Sequence, residues 1–297
     1  MEVGIEHGGG PPSHILAFSD NALNVNFAAM EICTSSREAN PMAIDDILRR
    51  PPPIDYVEEA PAIDADEFFK VVESRRSVRQ YDGTPVPEQV MRRCLDAALK
   101  APNSSNLQAW EFHWVRTPEK KARLADACLG QPAATTAAEL VVFVARTATW
   151  PDMRRRMLEA FDAQGNVPAA ARAYYEKLIP LVMGLGPLGL GGVAKKAVLY
   201  ARGFKQPTPR EPTSHADLKV WAVKSCALAC ENFMLAARAS GFDTCPMEGF
   251  DSTRVRALLG LPSDAVITMV ISMGRRAPGG VYGPRVRFDS TLFIKEH

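Results

Sequence analysis

Two uncharged, nearly continuous apolar runs constrain this chain most: Leu140 to Ala145 (LVVFVA) and Ala265 to Met273 (AVITMVISM). A strand with one wet face alternates apolar and polar side chains, whereas a short unbroken run rich in β-branched residues belongs inside a sheet covered on both sides. Such a sheet needs helices, and the chain supplies them. Asp64 caps a helix with Glu67 at the reciprocal position, and Phe68 and Val72 lie on one of its faces. Pro87 opens a second helix with the stripe Val90, Cys94 and Ala98, and Leu95 beside it. Trp110 to Val115 reads as an aromatic strand and Pro118 to Leu129 as a helix. The longest helix runs from about His215 to Ser240, capped by Ser214 and Asp217, with Leu218, Trp221, Ala222, Ser225, Ala229 and Phe233 on its apolar face and Gly241 as its stop. A short helix spans Thr253 to Leu259. The order helix, helix, strand, helix, strand, long helix, short helix, strand predicts an α+β sandwich around one sheet.

The organised domain is expected at residues 63–297, behind an extension at 1–62. That extension carries Gly8 to Pro12, Pro41, Pro51 to Pro53 and Pro61, which disfavour regular structure except for a short helix near 43–50. Its start has no basic region ahead of a compact apolar stretch, unlike a secretion signal. An insertion is expected at about 150–212, with helices near 153–161 and 169–178. Within it Leu178 to Ala194 is uncharged, but it holds five glycines and two prolines and is shorter than the roughly 20 residues a membrane span requires. We expect no transmembrane segment there but a lid, pocket wall or surface-resting element, which leaves peripheral membrane contact open. Gly184, Gly186 and Gly189 spell G-x-G-x-x-G, but a dinucleotide clamp needs a strand directly before it. The preceding residues read as helix and Pro180 disfavours a strand, so flexible or close-packed insertion backbone is the reading kept.

A net charge of +1 supplies no field for nucleic acid. Cys33, Cys94, Cys128, Cys226, Cys230 and Cys245 include no CxxC, and the i,i+4 pair Cys226 and Cys230 lacks further ligands for zinc. They read as small buried residues of a reduced, cytoplasmic protein.

Candidate ligand chemistry lies in four places. Arg75-Arg76-Ser77-Val78-Arg79 puts three guanidinium groups and a hydroxyl within five residues where the first helix ends. In an extended chain Arg75, Ser77 and Arg79 share one side, as a phosphate requires, although a basic run is also what a solvated surface presents. Ala101 to Trp110 is a polar loop whose Asn106 and Gln108 amides can read the edge of a heterocycle, or whose Asn103 and Ser104 simply cap a helix end. Gly241 to Phe250 contains Pro246-Met247-Glu248-Gly249, where proline and glycine can aim peptide N–H groups. Gly274-Arg275-Arg276 and Arg285-Val286-Arg287 are late cationic groups.

In this order the four elements resemble the nitroreductase family of FMN enzymes, over about Asp64 to Arg287 with the insertion as an interruption. The resemblance implies a nitroreductase-like sandwich, a central mainly antiparallel sheet flanked by helices, with FMN at a homodimer interface. It assigns Arg75, Arg76, Ser77 and Arg79 to the FMN phosphate, ribityl and pyrimidine edge, Asn106 and Gln108 to a flavin-contacting loop, and Arg285 and Arg287 to the phosphate. Pro246, Met247, Glu248 and Gly249 match the segment whose backbone N–H groups approach flavin N5, so no side chain need be catalytic. Ala109 stands where the family's loop has proline. The implied activity is ping-pong electron transfer from NADH or NADPH to a small aromatic acceptor such as a nitroaromatic or quinone. Trp150, Tyr174, Tyr175 and Phe204 of the insertion are candidates to wall the pocket, or else to pack the insertion down. A dehalogenase, ene-reductase or dehydrogenase of the same fold, or a non-catalytic flavin-binding protein, is the alternative.

Overall fold

The computed structural model describes residues 56–297; the expected short helix near 43–50 and most of the extension lie outside them. A four-stranded antiparallel sheet forms the centre, in the order β1 (Trp110–Val115), β2 (Glu139–Arg146), β4 (Ala265–Gly274), β3 (Asp243–Met247). The two continuous apolar runs are its inner strands, paired from Glu139–Met273 to Arg146–Ala265 with a bulge between Phe143 and Val144. Their side chains split by parity. Val141, Phe143, Ala145, Ile271 and Met273 enter one core layer, while Leu140, Val142, Val144 and Val270 enter the other.

The first layer is closed by α2 (Glu88–Leu99), through Met91, Cys94 and Ala98, and by the long α9 (His215–Ala239), through Ala222, Cys226, Ala229, Cys230 and Phe233. Ser214 and Asp217 form the reciprocal cap of α9. The second layer is closed by α3 (Pro118–Ala127), with the short α4 (Pro132–Thr135), and by α10 (Ser252–Leu259). Among the described residues α9 alone has the length and apolar composition of a membrane span, but that composition is explained by the face it buries. Five cysteines, Cys94, Cys128, Cys226, Cys230 and Cys245, are free and buried, and burial pushes the thiols of Cys94 and Cys128 up to about 11.

The structure corrects the expected pattern in several places. β3 is a fourth strand, at the sheet edge, where Pro246 is tolerated despite lacking an N–H. Helix α1 (Ala65–Ser74) is capped by Asp64 as expected, yet buries none of its residues; Phe68, Phe69 and Val72 face solvent. Between β2 and α9 the chain is helical: α5 (Trp150–Gln164), α6 (Ala169–Ala173), a π-helical turn (Tyr174–Leu178), α7 (Ile179–Met183) and α8 (Leu190–Gly203). A helix, α7, and not a strand directly precedes the G-x-G-x-x-G glycines. Gly184 has a packing role instead, since a Cβ there would sit 2.6 Å from the Pro180 carbonyl oxygen, and so has Gly192 beyond the motif, where a Cβ would sit 2.2 Å from the Thr213 carbonyl oxygen.

Candidate functional site

After α1 the chain turns extended at Arg75. Ser77 bridges Thr244 of β3 in parallel, the Val78 amide donates to the Thr244 carbonyl at 3.0 Å, and the Arg79 amide donates to Gly280 at 2.7 Å. Val78 is fully buried, which leaves its neighbours Ser77 and Arg79 on the outer side of the same stretch. There a cleft of about 300 Å³ gathers Arg75, Arg76, Ser77 and Arg79 with residues 281–287, including Arg285 and Arg287.

Hydrogen bonds fix the cleft's two walls to each other. Arg76 Nη2 donates to the Gly283 carbonyl at 2.6 Å, and Arg285 donates to the carbonyl of Arg75. The Arg79 guanidinium lies 6.0 Å from the centre of the Tyr282 ring. Among the described residues no carboxylate lines the cleft; Glu231 lies 4.0 Å from Arg75 Nε. Concentrated positive charge without a neutralising wall suits an anion with several oxygen acceptors. Arg276, from the same late cationic stretch, is used differently: it pairs with buried Asp243 at 2.8 Å and so braces β3.

The start of β3 adjoins this region through Ser77 and Thr244. Pro246 and Met247 lie within β3, and Glu248 and Gly249 follow it, both exposed. The Gly249 carbonyl accepts a 2.8 Å hydrogen bond from Gln131 Nε2, which also donates to Cys128 at 3.0 Å. The N–H groups of Glu248 and Gly249 make no hydrogen bond among the described residues. Beneath, burial holds the Cys245 thiol above its ordinary value despite the opposing pull of Arg79 and Arg75. The Tyr81 hydroxyl is pushed far up by burial and sits 2.9 Å from Ser272 Oγ. Both groups are therefore neutral near pH 7 and act as packing. Gln131 escaped the sequence reading because 118 residues separate it from its partner Gly249.

Asn106 and Gln108 stand apart from the arginine cleft. They are exposed on a loop that alternates with buried Leu107 and Ala109. Ser105, Asn106 and Gln108 all have positive φ (57°, 47° and 44°), a conformation that costs energy for residues other than glycine and persists only where surroundings enforce it. The enforcers are visible. Asn103 Oδ1 accepts from the Gln108 amide at 2.8 Å, the Tyr175 hydroxyl donates to the Ser105 carbonyl at 2.8 Å, and the Tyr174 hydroxyl meets Ser105 Oγ at 2.6 Å. Both tyrosines come from the π-helical turn, a rare element that sequence periodicity does not announce. Trp150, Tyr174 and Tyr175 pack with Leu107, Ile179, Met183 and Leu218 in a third core cluster, whereas Phe204 is 87% exposed among the described residues.

Comparison with known proteins adds a family frame. The model of the Nitroreductase family matches residues 72–275. An NADH dehydrogenase of Thermus thermophilus is 32% identical over 218 residues, covering 73% of this chain and 91% of that protein. Protein DrgA of Synechocystis is 29% identical, covering 72% of this chain and 87% of that protein. Among solved structures, a nitroreductase-like protein of Exiguobacterium sibiricum in complex with FMN has a TM-score of 0.59 at 24% identity, covering 80% of this chain and 99% of that one. The CLA-ER enone reductase has a TM-score of 0.60 at 23% identity, covering 79% and 99%.

Proposed function

Since this chain belongs to the Nitroreductase family, we propose that it is an FMN-dependent oxidoreductase passing electrons from NADH or NADPH to a small aromatic acceptor, a nitroaromatic or a quinone. The observation that carries this reading is the cleft of Arg75, Arg76, Arg79, Arg285 and Arg287 beside the start of β3, lined by no carboxylate among the described residues. Its donors fit the terminal phosphate of FMN, with Ser77 adding a hydroxyl. When bound, FMN supplies the carrier that takes a hydride from the nicotinamide and returns electrons to the acceptor.

The protein's part is to bind and to tune. Arg75, Arg79, Arg285 and Arg287 neutralise the phosphate, and Arg76 holds the 283–287 wall through Gly283. The N–H groups of Glu248 and Gly249, unpaired among the described residues, would donate to the redox-active nitrogen of bound FMN, with Gln131 steadying the peptide after them. Asn106 and Gln108 do not line the cleft. In this reading they serve the cleft of a second copy, so that a complete site requires a homodimer. Exposed Phe68, Phe69 and Val72 on α1, and Val220 and Leu228 on α9, are apolar surface for such an interface to cover. The domain is taken as residues 63–297, and the segment 150–212 sets acceptor choice by gripping the strained loop.

The test is an anaerobic absorbance titration of the purified protein. Flavin bands that bleach with NADH or NADPH and return on adding a nitroaromatic or quinone support the reading. A flavin that stays oxidised with both nucleotides shifts it to a non-catalytic flavin-binding protein. A protein that takes up no FMN on reconstitution overturns it. Recovery with an enone but with no aromatic acceptor makes the chain an ene-reductase.

A further inference from the structure

Helix α8 is built inside out. Leu190, Val193, Ala194, Ala197, Tyr200 and Ala201, and then Phe204 just past its end, recur at the three- and four-residue spacing of one helical face, and all are exposed. The large ones are bare: Leu190 is 71% exposed, Val193 73%, Tyr200 50% and Phe204 87%. The inward side is made by Gly192, the one buried residue of the helix, by half-buried Val198 and Leu199, and by half-buried Lys195, whose ammonium reaches the Val182 carbonyl of α7. A globular helix normally places its apolar face inward and its lysines outward. Here a lysine is folded in and an apolar ridge is turned out.

The charge around the ridge has one sign. Between Glu176 and Glu211 the chain has no acidic residue but carries Lys177, Lys195, Lys196, Arg202, Lys205 and Arg210. Lys196 and Lys205 are exposed along the same stretch. Arg210 packs 4.8 Å over the Tyr200 ring and donates to the Leu199 and Tyr200 carbonyls, which fixes Tyr200 at the helix C-terminus. On the neighbouring α7, Leu181 is also 58% exposed.

We propose that α8, with Phe204 and Lys205, is a docking surface for an anionic lipid bilayer, lying flat with its apolar ridge among the acyl chains and its lysines at the headgroups. The composition is that of an interfacial helix, in which aliphatic and aromatic side chains share a helix with basic groups that reach for lipid phosphates. A second copy of this chain fits less well. A two-fold contact centred on the ridge would set it against itself, bringing Lys196 and Lys205 towards their own copies with no carboxylate between Glu176 and Glu211 to answer them. A small ligand fits less well again, because the ridge is convex.

The experiment is co-sedimentation of the full chain with vesicles of phosphatidylcholine, with and without about 30% phosphatidylglycerol. Binding to the anionic vesicles is expected to exceed binding to neutral ones by at least about 10-fold and to weaken with salt. The double variant V193S/F204S should lower binding to the anionic vesicles by about 10-fold or more, while K196Q/K205Q should remove the anionic preference. All four side chains are exposed, and far-ultraviolet circular dichroism and the melting temperature check that both variants fold as the parent does. No binding to anionic vesicles at low salt overturns the proposal, as does binding that V193S/F204S leaves intact. A parent that ignores vesicles but whose solution mass falls on V193S/F204S assigns the ridge to a second copy, and also overturns it.

Discussion

Asp243 is almost fully buried and receives Arg276 at 2.8 Å and Arg238 at 3.4 Å, whereas Arg79, two strand positions from the bridge to Thr244, has no acidic partner among the described residues. The same side chain thus does structural work in one place and stands ready for an anion in the other, and substitution should separate the two. Arg79→Ala is expected to weaken FMN binding by about 10- to 100-fold, the loss of one charge-assisted hydrogen bond, with little change in thermal stability; fluorescence titration and calorimetry read the two quantities. Arg276→Ala should do the reverse, costing about 1–2 kcal/mol because Asp243 loses its shorter partner while the half-exposed site softens the penalty. Acid sensitivity is also a residue-scale matter. Burial raises the Asp264 carboxyl, but paired hydrogen bonds from Arg146 (2.9 and 3.1 Å) and the Ala148 amide outweigh it and hold the pKa below its ordinary value. A depressed folded-state pKa means the stabilisation is complete above the unfolded value near ~4 and is lost as pH falls through the folded one. Urea unfolding between about pH 2 and 6 should show a steeper acid loss in the parent than in Asp264→Asn.

At the scale of elements, the π-helical turn and the loop it grips behave as one device. Tyr175→Phe removes the donor to the Ser105 carbonyl and is expected to cost about 1 kcal/mol and to loosen FMN retention. Intact retention at an unchanged melting temperature would detach the turn from the site. Gly192→Ala should disturb α8 and its seat on residue 213 by more than the usual glycine-to-alanine gain in helix propensity, measured by limited proteolysis of the 165–213 stretch. Elements were legible in proportion to how locally they are specified. The caps Asp64 and Ser214, the proline starts at Pro87 and Pro118, and the inner strands β2 and β4 are written in neighbouring residues, and the structure has them. β3 was missed because Asp243, Thr244 and Pro246 spell no strand, and Arg276, Arg238, Ser77 and the β4 ladder, all outside it, hold it in the sheet. The arginine cleft was suggested by order along the chain, but its closure by Gly283 and Arg285 is a contact over more than 200 residues that no local pattern encodes. The exposure of Phe68 and Val72 was also hidden, because periodicity tells which residues share a face and not what that face meets.

Across the whole molecule, the sheet is the common support: Phe143 is fully buried between Phe112 and Phe233, with ring centres 4.7 and 5.4 Å away. Phe143→Ala is expected to cost about 3–5 kcal/mol and to release FMN only on global unfolding, so denaturation followed by circular dichroism and by flavin fluorescence should coincide. The inner pair of strands has a further consequence in time. Glu139 meets Met273, so β2 leaves the ribosome with more than a hundred residues still to be made before its inner neighbour exists. The sheet is thus completed late, in a search dominated by distant partners, and the nascent chain must keep an unpaired, strongly apolar strand edge from other chains for that interval. Joining ends so far apart costs entropy that grows only with the logarithm of the gap. The same wiring that delays assembly therefore leaves the stretch between β2 and α9 free to change length with little thermodynamic effect on the sheet.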